Sequence, residues 1–480
     1  MPKKPPVKIT RTLFAEPTFS EGVPTADPSQ FDVTPKDSAD YTAQVKALLA
    51  TQVVSFDQAS GQPSDVYTLA KAWGTHGPDI VQSIEDSKSI TFHMVGDSGA
   101  SNTKNFGGMI HVSDAVTTEF HKNNIPSFLY HLGDLVYNFG ESLYYYDQFY
   151  EPYRDYPAPI FAIPGNHDSF VLPGTAAGDE PLTIFGRNFC SKTLTVTTEA
   201  ASLHRTAMMQ PGVYFALDAP FVRIIGLFSN ALEDPGVISS QTIEPSSMAK
   251  TMAAAVAAKK GKGKGKGGGG AGGGKKNPAI KTWPGVPDYQ LAFLTAQLQQ
   301  IKDTNYKGAV ILAVHHPPFT YGVEGSASSG AKHYGSPLML AEIDAICQQV
   351  GVYPHAFISG HAHNYQRFTR QLTFGGGKYS VPFIICGDSG HNVNPLVQTR
   401  FGQKPADPGD NIDVTYMDND SVVGATTLTL NRHDQNNYGY LRIVANTTQM
   451  TINFVPVPRA SGAAAKPDVV TVNLANHTSA

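Results

Sequence analysis

Five short motifs in this sequence carry the side chains whose types and spacing could do chemistry. Each motif combines aspartate, asparagine or histidine with glycine or proline, and four of them directly follow an apolar run. In chain order they are Gly96-Asp97-Ser98-Gly99, Gly133-Asp134-Leu135-Val136-Tyr137, Gly165-Asn166-His167-Asp168, Val314-His315-His316-Pro317 and Gly360-His361-Ala362-His363. Oxygen donors and imidazoles suit zinc, manganese or iron, and a carboxylate can bridge two cations. Because no motif contains cysteine, the set favours a catalytic metal site over a structural zinc site.

A pair of cations held by such motifs would suit the hydrolysis of phosphate esters. Two neighbouring cations can activate water, orient a phosphoryl oxygen and neutralise the charge that develops as an ester bond breaks. Taken singly, each motif has a simpler explanation, since Gly-Asp forms turns and Asn-His-Asp can cap a helix. Together they indicate one site, because loops that follow neighbouring strands converge at one edge of a sheet.

The apolar runs before and between the motifs have the length and composition of buried strands. They are Ile90–Val95, Phe128–Leu132, Ile160–Ile163, Val222–Phe228, Ala309–Val314, Ala356–Ile358 and Phe383–Cys386. Leucines at helical spacing predict an amphipathic helix over residues 287–298, packed on a sheet. Alternating patterns over Tyr440–Val444 and Met450–Val455 predict strands that complete a sheet rather than form a separate domain.

Changes in composition along the chain predict three regions. Residues 1–86 are predicted to be an N-terminal extension with helices at Ser38–Leu49 and within Val66–Trp73. Residues 87–456 hold all five motifs and are predicted to be the catalytic domain. Residues 457–480 are predicted to be a C-terminal tail.

A segment rich in lysine and glycine, at about residues 246–280, interrupts the predicted catalytic domain. It cannot bury apolar surface, so it is predicted to be a flexible insertion. Its end, Gly269 to Lys276, nearly fits the spacing of a phosphate-binding loop. Lys276, however, stands where such a loop needs serine or threonine to bind magnesium, and no strand precedes it.

The composition bears on partners and location. The 36 basic and 40 acidic side chains give a formal net charge of only −4, so no nucleic-acid partner is expected. The three cysteines, Cys190, Cys347 and Cys386, have no C-x-x-C spacing, which argues against a disulfide framework. No window has the length and hydropathy of a membrane span, and no apolar segment of a secretory signal follows the basic start. These features predict a soluble, cytoplasmic protein, with secretion by another route as an open alternative, and leave the oligomeric state open.

The five motifs in this order resemble those of the calcineurin-like metallophosphoesterases, and within them the purple acid phosphatases, from about Ile90 to Cys386. The patterns Gly133-Asp134-x-x-Tyr137 and Gly360-His361-x-His363-x-Tyr365-x-Arg367 narrow the resemblance. In most of the wider family the first motif is Asp-x-His, and here Gly99 replaces that histidine. Tyr137 accounts for the difference, because a tyrosinate at this place completes the first metal's ligands in purple acid phosphatases. The resemblance implies an α/β (α+β) fold, a four-layer sandwich of two mixed β-sheets flanked by helices.

The resemblance also implies the ligands of two metal ions. The first ion would be Fe³⁺, held by Asp97, Asp134, Tyr137 and His363. The second would be Zn²⁺, Mn²⁺ or Fe²⁺, held by Asn166, His315 and His361, with Asp134 as the bridge. The family pattern His-x-Pro selects His315 rather than His316 as the ligand.

Two residues of the third motif are predicted to act in catalysis. His167 follows a ligand and would donate a proton to the leaving alkoxide or stabilise the transition state, while Asp168 would orient its ring. The mechanism that we expect is direct displacement by a metal-bound hydroxide, without a phosphoenzyme.

Further histidine, tyrosine and arginine side chains are weaker candidates for contacts with the phosphate or the leaving group. The candidates are His316, His204, His333, Tyr365 and Arg367, followed by Arg205 and His391. Gly387-Asp388-Ser389-Gly390 repeats the letters of the first motif, and Asp388 is interpreted as a turn residue or as a support for the ligands.

The sequence predicts hydrolysis of small phosphomonoesters, because the site with its tyrosine resembles that of acid phosphatases. A phosphodiesterase acting on cyclic nucleotides or phospholipid head groups is the alternative. A non-catalytic metal-binding interaction module is the alternative of another class.

Overall fold

The computed structural model describes most of the chain from residue 56 onward. The described residues are 56–100, 103–121, 125–171, 180–201, 203, 205–229, 236–239, 241–243, 280–282, 288–321, 323–324, 331–396, 408–418, 423–459 and 465–480. The helix predicted at Ser38–Leu49 lies outside them, as does the predicted lysine and glycine insertion apart from Ile280.

Twenty β-strands form in the described residues. In chain order they are β1 (Tyr67–Thr68), β2 (Ile90–Val95), β3 (Leu129–His131), β4 (Ile160–Ala162), β5 (Phe215–Ala219), β6 (Val222–Leu227), β7 (Gln241–Ile243), β8 (Ile280–Thr282), β9 (Ala309–Val314), β10 (Val323–Glu324), β11 (Ala331–Lys332), β12 (Ala356–Ser359), β13 (Tyr365–Phe374), β14 (Gly377–Cys386), β15 (Ile412–Asp413), β16 (Ala425–Asp434), β17 (Tyr438–Ala445), β18 (Gln449–Val457), β19 (Asp468–Asn473) and β20 (Thr478–Ser479). All the strands predicted from the apolar runs and alternating patterns coincide with members of this set.

The same part of the chain contains eight α-helices. They are α1 (Leu69–Ala72), α2 (Gly77–Ser87), α3 (Thr103–Thr118), α4 (Ser142–Tyr145), α5 (Asn166–Ser169), α6 (Thr183–Phe189), α7 (Tyr289–Asp303) and α8 (Pro337–Val350). Short 3-10 turns form at Gly74–His76, Glu119–His121, Thr198–Ala200 and Thr415–Met417, and a π-helical turn at Tyr146–Tyr150 continues α4. None of the helices in the described residues has the length and apolar character that crossing a membrane requires.

Two large mixed sheets form the body of the fold. One has nine strands in the order β1-β5-β6-β9-β12-β14-β13-β16-β15, and the other has seven in the order β20-β19-β18-β17-β2-β3-β4. In the first sheet β6, β9, β12 and β14 are parallel, and in the second β2, β3 and β4 are parallel. Helix α3 contacts β17 and β18, and α7 contacts β6 and α8. The predicted sandwich of two mixed sheets with flanking helices is therefore confirmed.

Strand β9 shows why these apolar runs become central strands. Ala309 and Ile311 lie in the core cluster that also contains β2, β3 and β17 of the other sheet. Val310 and Leu312 alternate with them and lie in a second cluster, which includes the buried faces of α7 and α8. Because successive side chains of a strand point to opposite faces, a strand covered on both faces must be apolar throughout.

A side chain occupies both backbone groups of Ala162, the last residue of the edge strand β4. The Gln210 side-chain amide accepts a hydrogen bond from the Ala162 N–H at 2.9 Å and donates one to the Ala162 carbonyl at 2.8 Å. This residue therefore takes the place of one more strand at that edge.

The two ends of the described chain are more closely joined to the sheets than the sequence indicated. The predicted helix within Val66–Trp73 is reduced to α1, because Tyr67 and Thr68 pair with β5 and the Thr68 hydroxyl caps the helix by accepting the Lys71 N–H. The predicted C-terminal tail contains β19 and β20, which pair in succession with β18 and extend the seven-stranded sheet.

Candidate metal centre

All five motifs lie at the carboxyl ends of strands. The first three follow β2, β3 and β4 of the seven-stranded sheet, and the last two follow β9 and β12 of the nine-stranded sheet. Parallel neighbours end at the same edge, so the motif loops of each sheet lie side by side. Asp97, Asp134 and His361 all adopt positive φ angles, of 57°, 58° and 69°. Residues other than glycine that are held in this conformation tend to cluster at functional sites.

Glycine is required where the motif loops approach each other. Gly133 has a φ of +102°, and a Cβ there would lie 2.6 Å from both the Gly165 nitrogen and His315 Nδ1. A Cβ on Gly165 would overlap the Asp134 carboxylate. The two glycines therefore let the second, third and fourth motifs come into contact.

The first group of converging side chains consists of Asp97, Asp134 and His363, whose ligand atoms lie within 4.8 Å of one another. The Tyr137 hydroxyl oxygen lies among them, 3.2 Å from Asp97 Oδ1, 3.0 Å from Asp134 Oδ2 and 3.3 Å from His363 Nε2. A phenol has one proton and can donate it to one of these atoms only. The oxygen and nitrogen atoms of this group therefore have more lone pairs than there are protons between them, which is the arrangement that binds a cation.

The second group consists of Asp134, His315 and His361, which meet the same distance limit. Asn166 Oδ1 lies between the two imidazoles, 3.1 Å from His315 Nε2 and 3.0 Å from His361 Nδ1. His315 donates its Nδ1–H to the Leu132 carbonyl at 2.8 Å, which aims Nε2 at the group. A hydrogen bond of this kind orients a metal-binding imidazole.

Asp134 belongs to both groups, and the electrostatics of the pair depend on it. His315 Nε2 lies 3.4 Å from Asp134 Oδ2. Burial alone would lower the pKa of His315, but the Asp134 carboxylate raises it to about 9. Burial and then the Asp134 and Asp97 carboxylates raise the pKa of Tyr137 well above its usual value. Protons thus occupy positions that cations could take, and the donor set fits two metal ions that share one carboxylate.

His167 lies at this centre, but Asp168 does not orient it as expected. His167 Nδ1 donates to the Asn138 carbonyl at 2.7 Å, and Nε2 lies 4.0 Å from Asp134 Oδ2. Asp168 instead accepts backbone hydrogen bonds at 2.7–3.2 Å from Asp134, Leu135, Val136 and Gly165. Its carboxylate ties the second and third motifs together, because a buried carboxylate is stabilised by several N–H donors.

The candidates for substrate contacts separate into two sets. His333 and His316 lie at the centre: His333 Nδ1 is 2.9 Å from His361 Nε2, and the His316 ring centroid is 4.1 Å from that of His361. Tyr365 and Arg367 instead bind Asp468, through the Tyr365 hydroxyl at 2.8 Å and Arg367 Nε at 2.6 Å. Asp468, on β19, pairs with the Arg367 guanidinium and so directs it away from the two metal groups.

Three further residues were candidates for substrate contacts: His204, Arg205 and His391. His204 lies outside the described residues. Arg205 donates to the backbone carbonyls of Tyr153, Tyr156 and Ala158 and so supports the loop before β4. His391 stacks on the ring of Tyr137, with centroids 3.6 Å apart.

One residue of the centre carries no signal in the sequence. Gln148 lies in an aromatic run, yet its side chain binds both backbone groups of Tyr137 and the N–H of Ala100. A single glutamine among tyrosines has no spacing or motif that marks it, so only the fold identifies it.

The two-sheet fold brings two groups of acidic and histidine side chains together, and each could hold a metal ion. Residues 91–216 match the family of calcineurin-like phosphoesterases, so this part of the chain is similar to the family that the motifs resemble. The matched residues contain the first three motifs.

Two solved structures give matches with low sequence identity. One is described as "GAP50 the anchor in the inner membrane complex of Plasmodium", with 12% identity and a TM-score of 0.42, covering 79% of this chain and 88% of that one. The other is PhoD, with 10% identity and a TM-score of 0.39, covering 81% of this chain and 70% of that one. No curated protein sequence matches the chain significantly.

Proposed function

We propose that this protein hydrolyses small phosphomonoesters at a binuclear metal centre. The observation that carries the proposal is that Asp134 belongs to two separate metal-binding groups, one with Asp97 and His363 and one with His315 and His361. A carboxylate shared in this way suits a pair of cations better than a single one.

Each ion would have its own protein ligands. Asp97, Asp134, Tyr137 and His363 would hold the first ion, and Asp134, Asn166, His315 and His361 would hold the second. The phenol favours Fe³⁺ at the first site, and the nitrogen and oxygen donors of the second suit Zn²⁺, Mn²⁺ or Fe²⁺. When bound, the ions would supply Lewis acidity toward a phosphoryl oxygen and lower the pKa of a water molecule.

His167 is proposed to exchange a proton with the leaving group. Its Nδ1–H is directed to the Asn138 carbonyl, so Nε2 would give a proton to the leaving alkoxide only from the doubly protonated ring. Burial lowers the pKa of His167 to about 4, so this form is populated in acid. The hydrogen bond at Nδ1 holds the ring in one orientation, the role first expected of Asp168. Asn138 therefore contributes through its main chain.

A serine near the centre is unsuited to form a phosphoenzyme. The Gly133 N–H donates to His131 Nδ1 at 3.1 Å, so the neutral imidazole carries its proton on Nε2 and donates it to Ser98 Oγ at 2.7 Å. Burial lowers the pKa of His131 to about 3, which keeps this ring neutral. His131 consequently cannot act as a base toward Ser98, which supports direct displacement.

The test of the reaction class compares an aryl phosphate with the matching bis-aryl phosphate. We expect purified protein that carries both metals to hydrolyse the monoester with the higher kcat/KM. A higher value on the diester would favour a phosphodiesterase. Failure to hydrolyse either ester with both metals bound would favour a non-catalytic metal-binding module.

The test of the first metal is the visible absorption spectrum of the iron-loaded protein. A tyrosinate bound to Fe³⁺ should give a charge-transfer band, and that band should disappear in Tyr137→Phe. His316→Gln is the matched control, because that ring lies at the centre without approaching the phenol, and its band should be unchanged. A band that persists in Tyr137→Phe would contradict the assignment of Tyr137 as a ligand.

A further inference from the structure

The segment 387–391, which repeats letters of the first motif, lies along the loop of that motif. The Ser389 N–H donates to the Gly96 carbonyl at 3.2 Å, and the Gly96 N–H donates back to Ser389 Oγ at 3.2 Å. The His391 N–H donates to the Asp97 carbonyl at 3.0 Å. The main chain of His391 is thereby fixed beside a proposed ligand of the first metal.

The side chain of His391 covers one face of the Tyr137 ring. The two rings are nearly parallel, at 9°, with centroids 3.6 Å apart. His391 Nδ1 donates to the Gly99 carbonyl at 2.9 Å, which fixes the imidazole in its plane. A ring stacked this closely fills one face of the phenol, so the His167 ring, with its centroid 4.1 Å away and tilted by 42°, packs from another side.

The main chain of Tyr137 is held separately, by Gln148. Gln148 Oε1 accepts the Tyr137 N–H at 2.9 Å, and Nε2 donates to the Tyr137 carbonyl at 2.8 Å. These bonds leave the side-chain torsions to be set by contacts with the ring. Its oxygen must nevertheless stay within reach of Asp97, Asp134 and His363, so the orientation of the ring decides whether the first group is complete.

We propose that His391 is a positioning residue that holds the Tyr137 phenol oxygen at the first metal group. The inference rests on the proposed binuclear centre. An imidazole suits the position because it offers a flat face to the phenol and an N–H to the buried Gly99 carbonyl, which a phenyl ring would leave without a donor. Residues that orient metal ligands typically change metal affinity by about 10–100-fold when they are substituted.

The experiment is calorimetric titration of the metal-free protein with Zn²⁺, comparing His391→Ala with His391→Phe. Both variants lose the hydrogen bond to Gly99, so a difference between them reports the stacked ring alone. We expect His391→Ala to weaken one of two zinc sites by about tenfold and His391→Phe to bind both ions nearly as tightly as the wild type. If His391→Ala does not fold, His391→Leu keeps apolar volume without a flat ring and should show the same loss.

A double-mutant cycle separates positioning from general packing. In a Tyr137→Phe background, His391→Ala should cause no further loss of zinc affinity, because the ligand that it positions is gone. An unchanged affinity in His391→Ala, or an equal loss in both backgrounds, would overturn the inference while leaving the binuclear centre in place. A wild-type protein that binds fewer than two zinc ions would overturn the proposed function and this inference together.

Discussion

Arg370 and Asp134 each lie at the middle of a buried polar cluster, and the two clusters balance charge in different ways. The Arg370 guanidinium binds Asp344 at 2.8–2.9 Å and Asp418 at 2.8–3.1 Å, and it also donates to the Tyr353 hydroxyl. Around Asp134 and Asp97, the contacts among the described residues come from backbone N–H groups, histidines and one phenol.

The two clusters differ in where their positive charge comes from. Arg370 brings a permanent positive charge, which binds both carboxylates within the chain. Asp97 and Asp134 have titratable partners instead, which bind either protons or metal ions. The first cluster contains its own cation, whereas the second is suited to take its positive charge from outside.

The largest expected effect is that of Asp134→Asn, which removes the shared carboxylate. The value of kcat/KM should fall about 10³-fold, equivalent to about 4 kcal/mol of transition-state stabilisation. The free energy of unfolding of the metal-free protein should change little, because the loss of the ion pair with His315 is offset by the relief of repulsion from the Asp97 carboxylate. Steady-state kinetics and urea denaturation measure the two quantities, and a variant that retained both metals and activity would break the comparison.

Arg370→Met should show the opposite pattern. It leaves Asp344 and Asp418 buried without their cation, so the free energy of unfolding should fall by about 3–5 kcal/mol. Protein that remains folded should keep its kcat/KM, since the arginine binds Asp344, Asp418 and Tyr353, which are not among the proposed ligands. Urea denaturation at neutral pH measures the loss. A free energy of unfolding equal to that of the wild type within error would show that the Arg370 cluster does not stabilise the fold.

Metal removal should affect the two clusters unequally. Zinc at about a hundred times its dissociation constant should stabilise the wild type by about 2.7 kcal/mol for each ion bound, because only the folded state holds the sites. Arg370→Met should gain the same increment, whereas Asp134→Asn should gain little. Thermal unfolding with and without a chelator measures these increments, and equal gains in all three proteins would place the zinc elsewhere.

The smallest expected effect concerns His355, a buried histidine outside both clusters. It tests whether a buried group that is neutral in the folded state makes stability depend on pH. His355 Nδ1 accepts the Val310 N–H at 2.9 Å, and Nε2 donates to the Leu474 carbonyl at 3.0 Å, so both nitrogens suit the neutral ring. Burial lowers the pKa of His355 from 6.5 to about 4. The unfolded chain therefore binds the proton first as the pH falls.

Stability should accordingly decline between pH 6.5 and about 4, with a contribution from His355 on the order of 2 kcal/mol. His355→Gln can make both hydrogen bonds and does not titrate, so its stability should depend less steeply on pH in that interval. Urea denaturation over this pH range makes the comparison. Identical pH dependences would exclude His355 as the source.

The sequence predicted the strands and the convergence of the motifs because both depend on local patterns. Each apolar run is continuous where its strand is covered on both faces, as in β9, and each motif begins at a strand end or within a few residues of it. The structure accordingly brings all seven predicted ligands into one connected group. Their binding of metal remains a proposal.

The hydrogen-bond partners of individual side chains could not be predicted from local sequence patterns. Arg367 follows two predicted ligands, but its carboxylate partner is Asp468, about a hundred residues away, and nothing near either residue marks the pairing. Asp168 was expected to orient His167, but its carboxylate oxygens accept hydrogen bonds from four backbone N–H groups instead. Three of these donors are more than thirty residues away in the sequence and approach Asp168 only in the folded chain. Long-range hydrogen bonds of this kind depend on the register of the sheets rather than on spacing in the sequence.

The glutamine at the edge of β4 has a consequence for how the molecule behaves among other copies of itself. An edge strand with open N–H and carbonyl groups can recruit strands from other chains and start aggregation. Gln210 satisfies both groups of Ala162 with one side chain. The last residue of the strand that leads into the third motif is thereby unavailable for such pairing.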